Sequence, residues 1–296
     1  MGMKIAIFGR SIDDQWRLGL SQVLHYLAFS NVSLVWYEPF YHFLSTQYHN
    51  LLSCSATYTR QTGLPEGCDL LLNLGGDGTF LESLTFVKER DIPVAGINFG
   101  RLGFLAGMET ESYDTCLQRL ITGDFCIEKR SVIEVSSALL PNSFFSYALN
   151  ECALQRKSPG MISITVHLQT GALPPFWADG LIVATPTGST AYALSVGGPI
   201  VFPCANVLTV APIAPHNLNM RPIVIPDNEE LSVYAHGRAE EVLLTLDNRA
   251  VTIPCNTKIR IRKASFSLHY VSLQRQHFIS ALHEKLLWGF DKRNSL

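Results

Sequence analysis

The chain of 296 residues has little charge: Asp, Glu, Lys and Arg make up 16% of it, with a formal net charge of −2 and a pI near 6.5. No run of Lys or Arg exceeds two residues, which argues against a nucleic-acid partner, since such proteins carry a concentrated basic surface. The seven cysteines are an odd number and form no C-x-x-C pair. That points to thiols in a reducing compartment, the cytoplasm, rather than a disulfide or zinc framework. The apolar start, Lys4–Phe8, is too short for a signal peptide and has no small-residue cleavage site. The least charged stretch, 171–226, is broken by Pro, Gly and Asn and cannot span a membrane as one helix. Two common phosphate grips are also missing: there is no Gly-Lys pair, hence no P-loop, and no G-x-G-x-x-G. No repeat or low-complexity tract is present.

What is present is a large apolar stock, 47% of residues, enough for about two domains. The first hundred residues alternate two periodicities. Apolar runs at Lys4–Phe8, Val32–Tyr37, Asp69–Leu74 and Ile92–Ile97 read as strands. Helical spacing predicts helices over Ser11–Ser30, Phe40–Leu52, Thr79–Arg90 and Glu111–Thr122. Strand and helix in alternation imply a parallel sheet with helices on its faces. From about Phe125 to Ser272 the pattern changes to short β-branched runs. They fall at Val132–Ser136, Phe144–Ala153, Ile162–Leu168, Leu181–Thr185, Leu208–Ala211, Leu231–Ala235, Val242–Leu246 and Ile259–Ile261, the pattern of a sandwich or layered sheet. The tail from Gln274 to Phe290 is spaced as a closing helix that packs back on the first domain. The division expected is therefore 1–110 with 274–296, and 111–273.

Two segments carry chemistry. Leu70–Leu74 leads straight into Gly75-Gly76-Asp77-Gly78-Thr79 and a helix. Glycines let a phosphate chain lie against the backbone, and the N–H groups of a helix start face its charge. Asp77 is a carboxylate in a place suited to anions. It either accepts a proton from an attacking hydroxyl, holds a metal, or caps the helix. In the second segment, Asp179 and Arg221 are the only charged residues between 171 and 226. Asp179 is therefore expected to be buried and partnered. Hydroxyls at 185, 187, 189, 190, 192 and 195 suit ribose and amide groups, while Thr185-Pro186-Thr187-Gly188 also reads as a cap for a helix over Ser189–Val196. Asn150-Glu151 ends a strand and suits either an adenine edge and ribose or plain solvent.

These pieces resemble the NAD kinase family. The resemblance rests on Gly75–Thr79, Gly96-Ile-Asn-Phe-Gly-Arg-Leu-Gly-Phe-Leu105, Asn150-Glu151, Asp179-Gly-Leu through Thr185-Pro-Thr-Gly-Ser-Thr-Ala-Tyr192, and Ala211-Pro-Ile-Ala-Pro-His216 with Arg221-Pro222. It implies a Rossmann-like parallel α/β amino-terminal domain, a β-sandwich-like second domain and an active site in the cleft between them, in a homo-oligomer, dimer or tetramer. It also implies transfer of the γ-phosphoryl of ATP to the adenosine-ribose 2′-hydroxyl of NAD. Mg²⁺ would be held mainly by the donor phosphates, because the sequence offers no dedicated carboxylate cage.

By the same resemblance Asp77 is the acid that activates the hydroxyl, with Gly75, Gly76, Gly78 and Thr79 around the nucleotide. Asn150 and Glu151 hold the ribose and adenine region, and Asp179 contacts the nicotinamide-side ribose or amide. Thr190, Ala191, Tyr192 and Ser195 line the dinucleotide site, and Ala214 and His216 lie near the nucleotides, His216 as a contact or as a plain loop residue. Three departures stand out: Phe99 in the Asn-Phe-Gly-Arg element, Trp177 two residues before Asp179, and Asp247-Asn248-Arg249 for Asp-Gly-Gln. Arg249 adds a cation near the phosphates, and Trp177 bears on the choice between NAD and NADH. A lipid kinase with an apolar acceptor cleft and a non-catalytic NADP(H) sensor are the alternative readings.

Overall fold

The structure is a computed structural model, and it describes residues 2–99, 103–106, 112–238, 240–273 and 277–287. In chain order the first elements are β1 (Lys4–Gly9), α1 (Arg17–Phe29), β2 (Ser33–Tyr37), α2 (Glu38–Tyr48), β3 (Ala56–Tyr58), β4 (Leu70–Leu74), α3 (Asp77–Val87), β5 (Val94–Ile97) and α4 (Tyr113–Thr122). Then follow β6 (Cys126–Ser136), β7 (Tyr147–Ala148), β8 (Glu151–Arg156), β9 (Ile162–Leu168), β10 (Gly171–Ala172), β11 (Phe176–Ala178), β12 (Gly180–Ala184) and α5 (Tyr192–Ser195). The chain continues with β13 (Val207–Ile213), β14 (Ile223–Pro226), β15 (Leu231–Gly237), β16 (Glu241–Leu246), β17 (Arg249–Pro254), β18 (Ile259–Ser272) and α6 (His277–Leu286). It divides into two compact units, Met1–Glu128 with His269–Leu296, and Lys129–Leu268.

In the first unit, five parallel strands lie in the order β5-β4-β1-β2-β3. Their apolar runs are buried on both faces, as a parallel sheet covered by helices requires. Leu20, Val23, Leu24 and Leu27 of α1 and Cys116, Leu117 and Leu120 of α4 join the core on the sheet. Phe8, Tyr37, Tyr58 and Phe86 form an aromatic group, with ring centroids 4.9–5.7 Å apart. Phe99 is buried against Tyr113, with centroids 5.6 Å apart, so this departure from the family pattern is a core residue.

The second unit is antiparallel. One layer is the six-stranded sheet β14-β13-β12-β8-β16-β17. In the other, β9 pairs with β10, β11 and β15, and β15 pairs with β18. The alternating residues of Ile162–Leu168 put Ile162, Ile164 and Val166 inward, where they share a core with Leu181, Val183, Leu244 and Leu246 from the six-stranded sheet. That shared core makes the unit a sandwich.

Several predicted elements shift. The helix expected from Ser11 begins as a 3-10 turn at Asp14 and becomes α-helical only at Arg17, because Asp13 is extended. Phe144–Ala153 is not one strand; it breaks between Ala148 and Glu151. The run Ile259–Ile261 is the beginning of a fourteen-residue strand. β3, β10, β11, β14 and β17 carried no recognised signal, being short or lying at sheet edges. Gly100, Arg101 and Leu102 of the quoted element, residue 111 of the fourth predicted helix, and residues 274–276 and 288–296 of the predicted closing helix and tail lie outside the described residues. Among the described residues, no helix is long and apolar enough to cross a membrane.

Candidate active site

In the first unit, β4 ends at Leu74 and the chain passes through Gly75 and Gly76 into α3. Gly76 is the residue that precedes the helix, and no side chain caps it. Asp77 is therefore not an N-cap. Its carboxylate instead accepts three backbone N–H groups from the turn after β5. Phe104 donates to Oδ2 at 2.8 Å, and Leu105 and Ala106 donate to Oδ1 at 3.1 and 3.0 Å. Lys285 Nζ lies 3.6 Å from Oδ2 and 4.4 Å from the Phe104 ring centroid. Phe278 of α6 also meets that ring, at 6.3 Å.

A carboxylate offers about four lone-pair positions, and this arrangement engages three with N–H groups and sets an ammonium near the fourth. Orientation is thereby fixed while the side chain keeps 32% of its exposure. Gly103 makes the close approach possible, since a β-carbon there would fall 1.8 Å from Asp77 Oδ1.

Of the predicted residues of the second unit, Asn150, Glu151 and Tyr192 meet at the start of β8, whereas Asp179 and His216 lie by its far end. Asn150 and Glu151 are both buried, so the solvated strand end is excluded. Asp247, with a side chain fully inaccessible to solvent, accepts N–H from Leu149 at 2.9 Å, Asn150 at 2.8 Å and Glu151 at 3.2 Å. Thr185 donates its hydroxyl to the Leu149 carbonyl at 2.5 Å and its N–H to the Asn150 carbonyl at 2.8 Å. The same hydroxyl accepts the Gly188 N–H at 3.1 Å, which satisfies one N–H of the 3-10 turn over Thr187–Thr190, whose N-cap is Pro186. The helix expected over Ser189–Val196 is that turn followed by α5.

Burial, reinforced by the Asp247 charge and opposed by the Tyr192 N–H, lifts the Glu151 carboxyl to about 8. Burial also raises Asp247, against the lowering effect of Arg249 and the three N–H groups. Glu151 is therefore largely protonated at neutral pH. Asn150 Oδ1 and Glu151 Oε2 are buried with no hydrogen-bond partner among the described residues. Orphaned buried polar atoms of this kind call for a ligand or an ordered water. A protonated carboxyl and an amide oxygen together present one donor and one acceptor to it.

Asp179 is not buried as expected, for its side chain keeps 32% of its exposure. Arg156, from outside the uncharged segment, forks onto it at 2.7 and 3.1 Å, and His216 Nε2 stands 3.9 Å away. Trp177 is half-exposed, and its carbonyl accepts the His216 N–H at 2.8 Å. Arg249 reaches the Tyr147 carbonyl at 2.5 Å, lies 3.5 Å from Asp247 and covers the Phe145 ring at 5.2 Å. The Tyr192 hydroxyl accepts from Gln155 at 3.4 Å. Ser195 and Thr190 turn their hydroxyls to the carbonyls of Tyr192 and Thr187, within their own helical turns. Ala214 has φ of 43° and sits just beyond β13.

Sequence reasoning did not name Lys285 or Arg156, and it quoted Gly103 and Asp247 only inside family elements, without a role. Asp247 had a readable signal, an Asp-Asn pair at a hairpin tip. Lys285 had none, being one lysine on an amphipathic helix.

A family profile described as the ATP-NAD kinase N-terminal domain matches residues 24–125, and one described as the ATP-NAD kinase C-terminal domain matches 149–273. The chain is 38% identical over 295 residues to the NAD kinase of Flavobacterium psychrophilum, covering 99% of this chain and all of the relative. To the NAD kinase of Christiangramia forsetii it is 39% identical, with the same coverage. Among solved structures, an NAD kinase from Archaeoglobus fulgidus in complex with ATP aligns with a TM-score of 0.72 at 25% identity, over 95% of this chain and 98% of that one. Yeast NADH kinase complexed with NADH aligns with a TM-score of 0.85 over 99% and 90% at 24% identity, a likeness of fold.

Proposed function

The chain belongs to the NAD kinase family, and from that premise we propose that it moves the γ-phosphoryl group of ATP to the adenosine-ribose 2′-hydroxyl of NAD with Asp77 as the proton acceptor. The observation that carries the assignment is the fixed, part-exposed Asp77 carboxylate in the glycine turn at the carboxyl end of β4. Ligands of open α/β sheets lie outside the carboxyl ends of their strands, and the N–H groups opening α3 suit a phosphate chain. Phosphoryl transfer asks the protein mainly to position its reactants and stabilise charge, and a locked carboxylate serves that end. The hydroxyl would enter on the Oδ2 side, where Lys285 is the most distant of the four partners.

In the second unit, Asn150 and protonated Glu151 would pair with a base or ribose, while Arg156 holds Asp179 for a polar group of the acceptor. Tyr192 donates its N–H to Glu151 and His216 Nε2 stands 3.9 Å from Asp179, and both are assigned, with Ser195, to the same dinucleotide. Polar recognition of this kind favours a dinucleotide over a lipid acceptor.

A divalent cation fits as an ion carried by the donor's phosphates, because the described residues bring together no group of three His, Cys, Asp or Glu. Bound that way it would neutralise phosphate charge, with Asp77 the carboxylate of the glycine turn. The cytoplasm and a dimeric or tetrameric assembly are part of the same proposal, the latter measured by light scattering.

The deciding assay incubates the full chain with ATP, Mg²⁺ and NAD and measures NADP. Parallel reactions with NADH, diacylglycerol and a sphingoid base establish the acceptor. Phosphorylation of a lipid without NADP, or tight NADP binding with no turnover, overturns the proposal.

A further inference from the structure

Outside the glycine turn, the first unit holds a charged triad. Glu82 lies in the second turn of α3, five residues beyond Asp77, and its side chain is only 4% exposed. Arg10 pairs with its Oε1, and Arg60 Nη2 donates to its Oε2 at 2.7 Å. Both arginine side chains are 55% exposed. The rest of the buried face of α3 is mostly apolar, with Phe80, Leu81, Leu84, Phe86 and Val87. A buried carboxylate there is costly to desolvate, and buried ion groups seldom stabilise a fold better than packed apolar side chains would. Stability alone does not account for Glu82.

Topology accounts for it better. Arg10 directly follows β1, and Arg60 lies two residues beyond β3. These strands run parallel in one sheet with β4, so both arginines emerge at the same carboxyl edge as Gly75–Asp77. Among the described residues, one carboxylate anchors two guanidinium groups, so positive charge exceeds negative within these three. An arginine has five N–H donors in a planar fork that matches phosphate oxygens, and a fork already oriented loses less freedom on binding.

We propose that Arg10 and Arg60, held in place by Glu82, form an anion subsite that takes the phosphate chain of the nucleoside triphosphate donor. Glu82 is a positioning residue, since it acts through the arginines. The inference rests on the kinase reading and adds a donor-side site to it.

The test uses full-length Arg10→Gln, Arg60→Gln, the double variant and Glu82→Gln, with ATP and NAD varied separately. Loss of one charge-assisted contact should raise KM for ATP by about tenfold or more. KM for NAD should change less than twofold. Inorganic tripolyphosphate should compete with ATP in the wild-type protein and weaken in proportion in each variant, whereas inhibition by adenosine should not change. Arg60→Lys, which keeps the charge without the fork, should fall between. Folded variants with KM for ATP and tripolyphosphate inhibition within twofold of wild type overturn the proposal, as does a rise confined to KM for NAD. If the double variant does not fold, the single variants decide by the same criteria. Failure of the kinase reading looks different: the wild type makes no NADP, yet calorimetry still detects tripolyphosphate binding that the arginine variants lose.

Discussion

Asp247 and Glu151 are joined by a reciprocal exchange: the Glu151 N–H reaches Asp247 Oδ1 at 3.2 Å, and the Asp247 N–H reaches the Glu151 carbonyl at 3.0 Å. With Leu149 and Asn150 also donating, a single carboxylate holds the chain where β8 begins. Asp247→Ala strands three buried N–H groups, each worth about 1–3 kcal/mol. Urea unfolding should show a loss of several kcal/mol by that principle, and KM for NAD should rise. Asp247→Asn keeps one acceptor oxygen and tolerates the φ of 51°, so it should lose less. Equal stability of Asp247→Ala and wild type would remove Asp247 from this role.

Glu151 gives a pH signature. Its carboxyl rises from 4.5 to about 8 on folding, chiefly through burial. Between those values the unfolded chain has released a proton that the folded chain retains. Stability from this group is complete below about pH 4.5 and is lost as pH climbs toward 8, at about 1.4 kcal/mol per pH unit. Glu151→Gln removes the dependence. The stability difference, Gln variant minus wild type, should therefore grow steadily from pH 5 to pH 8 in urea titrations. A constant difference would place the proton elsewhere.

Both units were legible as classes because their periodicities differ, 3.6 and buried apolar runs in one, alternation in the other. Gly75–Thr79 was legible too, as a strand-to-helix turn. How the Asp77 carboxylate is held was not, since its donors come from Phe104, Leu105 and Ala106, which are remote in sequence. Asp179 has the partner expected of it, Arg156 on a neighbouring strand, but its burial was misjudged, because a stretch of uncharged sequence does not show how near the surface its one acid lies. Nor could the sequence show which groups hold Arg249: Asp247, the Tyr147 carbonyl and the Phe145 ring.

Gly188 tests the seating of Asn150. A β-carbon at 188 would fall 2.1 Å from the Asn150 carbonyl oxygen, and backbone on both sides leaves little room to yield. Gly188→Ala should displace Asn150 together with the Thr185 bonds to it, raising KM for NAD strongly and lowering the unfolding midpoint. A variant with wild-type KM for NAD would show that this contact does not shape the acceptor site.

Asp77 can be challenged in two ways that separate chemistry from placement. Asp77→Asn replaces an acceptor oxygen with an amide donor facing backbone donors, and it removes the base. Turnover should fall by roughly 10²–10⁴-fold, the range of general-base catalysis, with NAD still bound. Gly103→Ala leaves the carboxylate in the sequence but drives a β-carbon to within 1.8 Å of Oδ1, so the side chain must leave its cradle. If orientation matters as much as the base itself, Gly103→Ala should also lose turnover at unchanged KM for NAD. Lys285→Met spares all three N–H bonds and should lose less than either. A fully active Gly103→Ala would mean that the three N–H bonds serve the fold alone.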